Sequence, residues 1–294
     1  MQDKLCFVQF THPGGEHQPD IGKNFKSWNK GKHQRKFLLT DGDYVFENKL
    51  VKKAPLIFWG EWEPDSEIVS VLQKPKGDYP KFIQRPIFNN NQPFPRQNTD
   101  PYVYGEQFHY CCCKQSRAGK PTQLAKLAQG SIILFGSTIN QNTPQAYFAL
   151  DTVFVVDKFI EYNEENFVSK LQGKVSEDYF EITIKSAFSG TIEKQVIDNK
   201  KPQVRCYFGA SFNNKIHGMY SFVPCKEFKN NTIGFERVKI TKDDFDFITN
   251  NLNAAPKMNA ILSIDQNILR WQKLKKIINE QGFYEGINFN FDKR

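Results

Sequence analysis

The sequence predicts an α+β protein with a mixed or mainly antiparallel sheet, several long loops and helices toward the C-terminus. Three observations predict it. Short apolar runs of strand length, as at 5–10, which alternates weakly, and 148–156, recur along the chain. Stretches rich in Gly, Pro and Asn separate them. One longer run, 266–281, carries its apolar residues at helical spacing and stops at Gly282.

Residues 5–10 read as a strand that enters a turn at Thr11-His12-Pro13-Gly14-Gly15, and 11–35 read as a long loop. Residues 36–40 and 43–46 read as two strands joined by Asp41-Gly42, a hairpin signal. Residues 55–60 read as a buried strand, and the proline-rich segment 74–101 as loop with extended pieces. A short helix is expected at 122–128. Strands follow at 131–136 and 148–156, separated by a polar loop at 137–146. A short helix at 164–171, a strand at 180–185 and a strand pair at 204–208 and 219–223 come next. The helices 243–252 and 266–281 follow these. In the second, Ile268, Trp271, Leu274 and Ile278 share one face with Lys275. A soft boundary near 156–162 divides a ligand-site region, 1–160, from an α+β region, 161–294, packed on it. A single domain is the alternative.

The 294 residues carry a net charge of +8, with a pI near 9.0. That balance favours a nucleotide, nucleic acid or acidic protein as partner, and a lysine-rich surface that aids solubility explains it equally well. The longest apolar stretches are strand-length, far short of a membrane span, so a cytoplasmic protein without a membrane partner is expected. The six cysteines include no CxxC pair and no secreted disulfide pattern. GxxxxGK[ST], GxGxxG and GxSxG are all absent, which argues against a P-loop NTPase, a Rossmann enzyme and an α/β-hydrolase. No motif names a cofactor.

Four of the five histidines and three of the four tryptophans fall within the first 115 residues. Aromatics interleaved with titratable side chains in turn-rich segments are what a ligand pocket is made from. In THPGGEH, His12, Glu16 and His17 are candidates for acid–base or metal roles. Pro13-Gly14-Gly15 rules out the helical spacing of a zincin. In WNKGKHQRKF, Trp28 is placed to stack on a ring, and His33 and Arg35 to contact phosphate. FWGEWEP puts Glu61 and Glu63 on one face of a continuing strand, a spacing suited to general acid–base work. QNTDPYVYG supplies Asp100 for hydrogen bonds to a ribose or base and Tyr104 for stacking. In HYCCCKQ, an extended chain would put His109, Cys111 and Cys113 on one face. They could serve as metal ligands or hold a nucleophile, although burial of cysteine as a small hydrophobe is the commoner arrangement.

Leu124-Ala125-Lys126-Leu127, then Gly130-Ser131-Ile132-Ile133-Leu134-Phe135 and residues 148–156, are similar to a helix–glycine–strand–strand segment of PUA-like β-barrels. That family includes EVE and ASCH domains. The resemblance covers about thirty residues, 124–156. It implies a barrel with a cleft for nucleic acid or modified bases, and assigns no binding residue here.

Together these readings describe a cytoplasmic protein that recognises a nucleotide or nucleic acid. If it is an enzyme, it hydrolyses or transfers at a phosphate or glycosidic bond. Two alternatives stand beside it: a non-catalytic PUA-like reader of DNA or RNA, and a structural subunit of a larger assembly.

Overall fold

The computed structural model describes residues 2–12, 35–72, 79–88, 99–117, 120–140, 143–188, 203–229, 234–245, 257–260 and 263–293. Along the chain the strands are β1 (Cys6–Thr11), β2 (Lys36–Phe46), β3 (Lys49–Gly60), β4 (Ser66–Val71), β5 (Phe82–Phe88), β6 (His109–Tyr110), β7 (Ser116–Arg117) and β8 (Lys120–Pro121). They continue with β9 (Ile132–Ile139), β10 (Tyr147–Tyr162), β11 (Val204–Gly209), β12 (Val223–Glu227), β13 (Val238–Ile240), β14 (Lys257–Ala260), β15 (Tyr284–Phe289) and β16 (Asp292–Lys293). Among the described residues they form two seven-stranded sheets and a separate β7–β8 pair. The first runs β14-β1-β9-β10-β11-β6, with β13 also on β10. The second runs β15-β12-β3-β2-β5-β16, with β4 on β5. Both are mixed: β1–β9, β2–β5 and β5–β16 are parallel, among mostly antiparallel neighbours.

Strand alternation explains how the layers stack. Val8, Phe10, Ile133, Phe135, Phe154 and Val156 point into a core shared with Leu38, Leu56, Phe58 and Phe289 of the second sheet. Their neighbours Phe7, Ile132, Leu134, Val153 and Val155 point the other way, onto Trp271, Leu274 and Ile278 of the helix Ile264–Glu280. The first sheet is thus buried on both faces. That is why β9 and β10 read as almost unbroken apolar runs. The helix ends as its sequence predicts: Gly282 adopts φ +75° and the Phe283 amide donates to Ile278 O, closing the last turn.

The mixed α+β class, mostly sheet, holds. The first sheet is open between β14 and β6, so the segment 124–156 is not part of a closed barrel. Closure occurs in the second sheet instead. There β15 pairs with both β12 and β2, so β2, β3, β12 and β15 form a ring.

Several local expectations are corrected. Residues 36–46 form one strand, and the turn falls at Glu47-Asn48, both at positive φ. The β2–β3 register shifts after Gly42, where Lys52-Lys53 of β3 bulge out with Lys53 at positive φ, while Asp41-Gly42 stays in the ladder as β2 passes from β5 toward β15. A Cβ on Gly42 would sit 2.3 Å from the Asn288 carbonyl oxygen, so the glycine permits that close crossing. Residues 180–185 are helical, within Glu177–Tyr179, Phe180–Ile184 and Lys185–Phe188. Ser176 Oγ caps this helix by accepting the Tyr179 amide, and Phe180, Ile182, Thr183 and Ile184 are all buried, so the alternation carries no strand information. Residues 204–208 and 219–223 do not pair as strands: β11 lies in the first sheet and β12, which starts at Val223, in the second. β10 runs unbroken through 156–162. The short helices at 122–128 and 164–171 appear as the turn Gln123–Lys126 and the helix Phe167–Leu171. Residues 243–245 are not helical, and 246–252 lie outside the described residues, as do 13–34 of the predicted long loop. No helix among the described residues is long and apolar enough to cross a membrane.

Gly42→Ala is expected to lower stability by about 1–3 kcal/mol, because its methyl meets backbone rather than a yielding side chain. An unchanged urea midpoint would show that the crossing of β2 and residue 288 tolerates a side chain.

Candidate functional site

Where the two sheets meet, four segments bring charged side chains together. Arg35 immediately precedes β2 and is 1% exposed. Its Nη1 lies 3.0 Å from Glu61 Oε2, one residue past β3, and its Nε lies 3.1 Å from Asp151 Oδ2 on β10. Arg237, just before β13, approaches Asp151 Oδ1 at 3.4 Å and donates to Ser137 Oγ at 3.2 Å. Two guanidinium groups therefore face two carboxylates, all buried. Isolated ions would each cost several kcal/mol to desolvate, so the balance of charge is what makes their burial tolerable.

A bulge aims Asp151. The β9–β10 register shifts between Leu150 and Thr152, which leaves Asp151 as the extra residue. Such an insertion re-aims a side chain that would otherwise follow the strand's alternation. Along with Arg35, Glu61 and Asp151, the cleft is lined by His12, Thr152 and the apolar Trp59, Phe135 and Val223. Its volume is about 270 Å³ counting space that opens to solvent, and its enclosed part has room for about one water. His12 is anchored by its amide, which donates to Gly136 O at 2.9 Å, and its ring packs beside Phe10 and Phe135.

The sequence-singled residues scatter around this cluster. His12, Arg35 and Glu61 converge on the cleft. Glu63 does not line it. β3 ends at Gly60, so the expected one-face pairing of Glu61 with Glu63 is replaced by Glu61 with Asp151. Glu63 is buried nearby, its amide donating to Thr99 Oγ1. Tyr104 is 3% exposed and sits edge-on to Trp62 at 4.7 Å, within an aromatic cluster with Tyr102 and Phe291. Glu16, His17, Trp28 and His33 lie outside the described residues.

Asp100 serves the backbone. Its Oδ1 accepts the Cys111 amide at 2.8 Å and its Oδ2 the Cys113 amide at 3.1 Å. Burial pushes its carboxyl up to about 7, against the pull of those two amides. Pro101, joined to it by a cis peptide bond, lies on the cleft wall. The strand at His109 stops at Tyr110, and Cys111–Cys113 follow in a turn, so the expected shared face of His109, Cys111 and Cys113 does not form by strand alternation. His109 stacks on Tyr179 at 4.6 Å, and burial lowers its imidazole to about 3, with Lys158 adding to the effect.

Asp151 and Arg237 are not among the residues the sequence singles out. Asp151 has a readable signal: it is the one charge in the strand segment 147–156. Arg237 lies in an ordinary-looking GFERVKI and has none.

Arg35→Met is expected to cost about 3–5 kcal/mol in urea denaturation, because two buried carboxylates lose their shared partner. Arg35→Lys should recover only part of this, since an ammonium lacks the fork that spans both. His109 titrates near 3 when folded and near 6.5 in an ordinary environment, so its contribution is full above 6.5 and is lost as pH falls toward 3. His109→Phe keeps the stack and should flatten the fall of the urea midpoint over that window; an unchanged slope would assign the acid sensitivity to other groups. Compared with family models, with curated proteins and with solved structures, the chain matches none.

Proposed function

We propose that the protein is a nucleotide- or nucleic-acid-directed hydrolase or transferase whose acid–base groups are His12, Glu61 and Asp151. The observation that carries the reading is their convergence. An imidazole and two carboxylates from separate segments face one cleft, with Arg35 bridging both carboxylates. Acid–base chemistry needs such groups within reach of one water, and the enclosed part of this cleft has room for about one.

In this reading one carboxylate takes a proton from water as its oxygen attacks phosphorus or the anomeric carbon. His12 supplies a proton to the departing oxygen or nitrogen. The water's hydroxyl thus joins the attacked atom, and one proton ends on the leaving group. Arg35 is a positioning residue: engaged by both carboxylates, it fixes where their oxygens point. Trp59 and Phe135 give the wall a flat apolar surface, and the net charge of +8 favours an anionic substrate.

The test is incubation of the purified chain with a panel of nucleosides, nucleotides and single- and double-stranded DNA and RNA, with products read by mass spectrometry. Turnover is expected, with Glu61→Gln, Asp151→Asn and His12→Ala each reducing it by about 100-fold or more while the circular dichroism spectrum is kept. Binding that weakens steeply with salt and leaves every substrate intact would overturn catalysis and favour a non-catalytic reader. Neither turnover nor binding would overturn the reading altogether.

A further inference from the structure

Beside the cleft, the turn after β6 holds a second set of chemically capable groups. One oxygen of Asp100 and the sulfurs of Cys112 and Cys113 all lie within 4.8 Å of one another. Among the described residues they are the one such set of His, Cys, Asp or Glu donors. From this juxtaposition we propose that Asp100, Cys112 and Cys113 bind a thiophilic divalent ion of the zinc class. The proposal is independent of the acid–base reading of the cleft.

Ligand chemistry selects the ion. Two thiolates and a carboxylate suit Zn²⁺ and its analogues Co²⁺ and Cd²⁺, and discriminate against Mg²⁺ and Ca²⁺, which take oxygen ligands. A tetrahedral zinc with Zn–S bonds of about 2.3 Å needs its sulfurs roughly 3.8 Å apart, so the set must contract by about one ångström or less. Binding balances simply: each thiol, and the Asp100 carboxyl where it is protonated, releases its proton to solvent, the two sulfurs and the carboxylate oxygen each donate an electron pair, and no oxidant or reductant takes part. A water completes the tetrahedron. Cys111 is outside the set. Its sulfur lies 3.6 Å from that of Cys112 but does not share the 4.8 Å grouping with the other two donors.

The surroundings are those of a prepared site. Asp100 accepts amides from the same turn that carries the thiols, the kind of outer hydrogen bond that orients a ligating carboxylate. The Tyr110 hydroxyl donates to Cys113 O at 2.6 Å. Gln115 ties the turn to β11: its Nε2 donates to Arg205 O at 2.7 Å, and its Oε1 accepts the Arg205 amide at 2.8 Å. Asp100 and Cys112 are buried while Cys113 is half-buried, so Cys113 is the most accessible of the three donors.

The experiment is a titration of the chelator-treated full chain with Co²⁺, followed by near-ultraviolet thiolate-to-cobalt charge-transfer absorption. One Co²⁺ per chain is expected. The band should disappear in Cys112→Ser and Cys113→Ser, persist in Cys111→Ser, and require at least about tenfold more Co²⁺ in Asp100→Asn. A second measurement needs no variant. Maleimide labelling of Cys113 in the wild-type chain, mapped by mass spectrometry, should be suppressed by equimolar Zn²⁺. Absence of the band in the wild-type chain, an equal band in the Cys112→Ser and Cys113→Ser chains, or Cys113 labelling indifferent to Zn²⁺ would each overturn the proposal.

Discussion

Arg35 reaches Glu61 on its own sheet and Asp151 on the other, and that double ion pair is the constraint on which the junction depends. A buried guanidinium is acceptable only where carboxylates of fixed position surround it. Three local features supply those positions: the end of β3 at Gly60, the bulge at Asp151 and the approach of Arg237 to the same aspartate. Each would be a defect in isolation. A strand stops, a ladder loses register and a charge enters the core, yet together they place opposite charges at contact distance. The cleft inherits its polar lining from this arrangement, and His12 joins it because β1 runs parallel to β9 and ends beside Gly136.

A second polar anchor works differently. Asp100 holds backbone, not a side-chain cation, and lets the chain turn sharply after β6 while keeping two amides satisfied in the interior. Around it Tyr102, Tyr104, Trp62 and Phe291 pack edge to face, so this interior is largely aromatic. The richness in Phe and Tyr that offsets a modest aliphatic content is spent here and in the shared core.

Much of this was legible in the chain. The short apolar runs 5–10, 131–136 and 148–156 identify strands by their strand length and the turn residues that bound them, since burial on both faces removes the alternation. The helix before Gly282 is legible through its apolar stripe and its cap. His12, Arg35 and Glu61 were legible as chemically capable groups, but their convergence was not, since it depends on pairings between residues far apart in sequence. The misreadings share a cause: a local signal has two structural uses. Asp-Gly makes a tight turn or lets another backbone cross close by, and the nearby chain at residue 288 decides which. An alternating Phe-x-Ile-x-Ile pattern fits a strand or a helix buried on most sides, and the Ser176 cap decides. Tyr104 and Asp100 were legible as functional types, while their burial reflects the aromatic cluster and the turn that enclose them.

The ring of β2, β3, β12 and β15 has a consequence for how the chain is made. On the ribosome the hairpin Lys36–Gly60 leaves its edge toward β15 unpaired until Tyr284–Phe289 has been synthesised. Until then the side chains destined for the ring's interior, Leu56 and Phe58 among them, lack the Phe289 side of their enclosure. Vectorial synthesis therefore separates the two sides of one closed structure, and until the second arrives the first has an open edge and an exposed apolar face of the kind chaperones recognise.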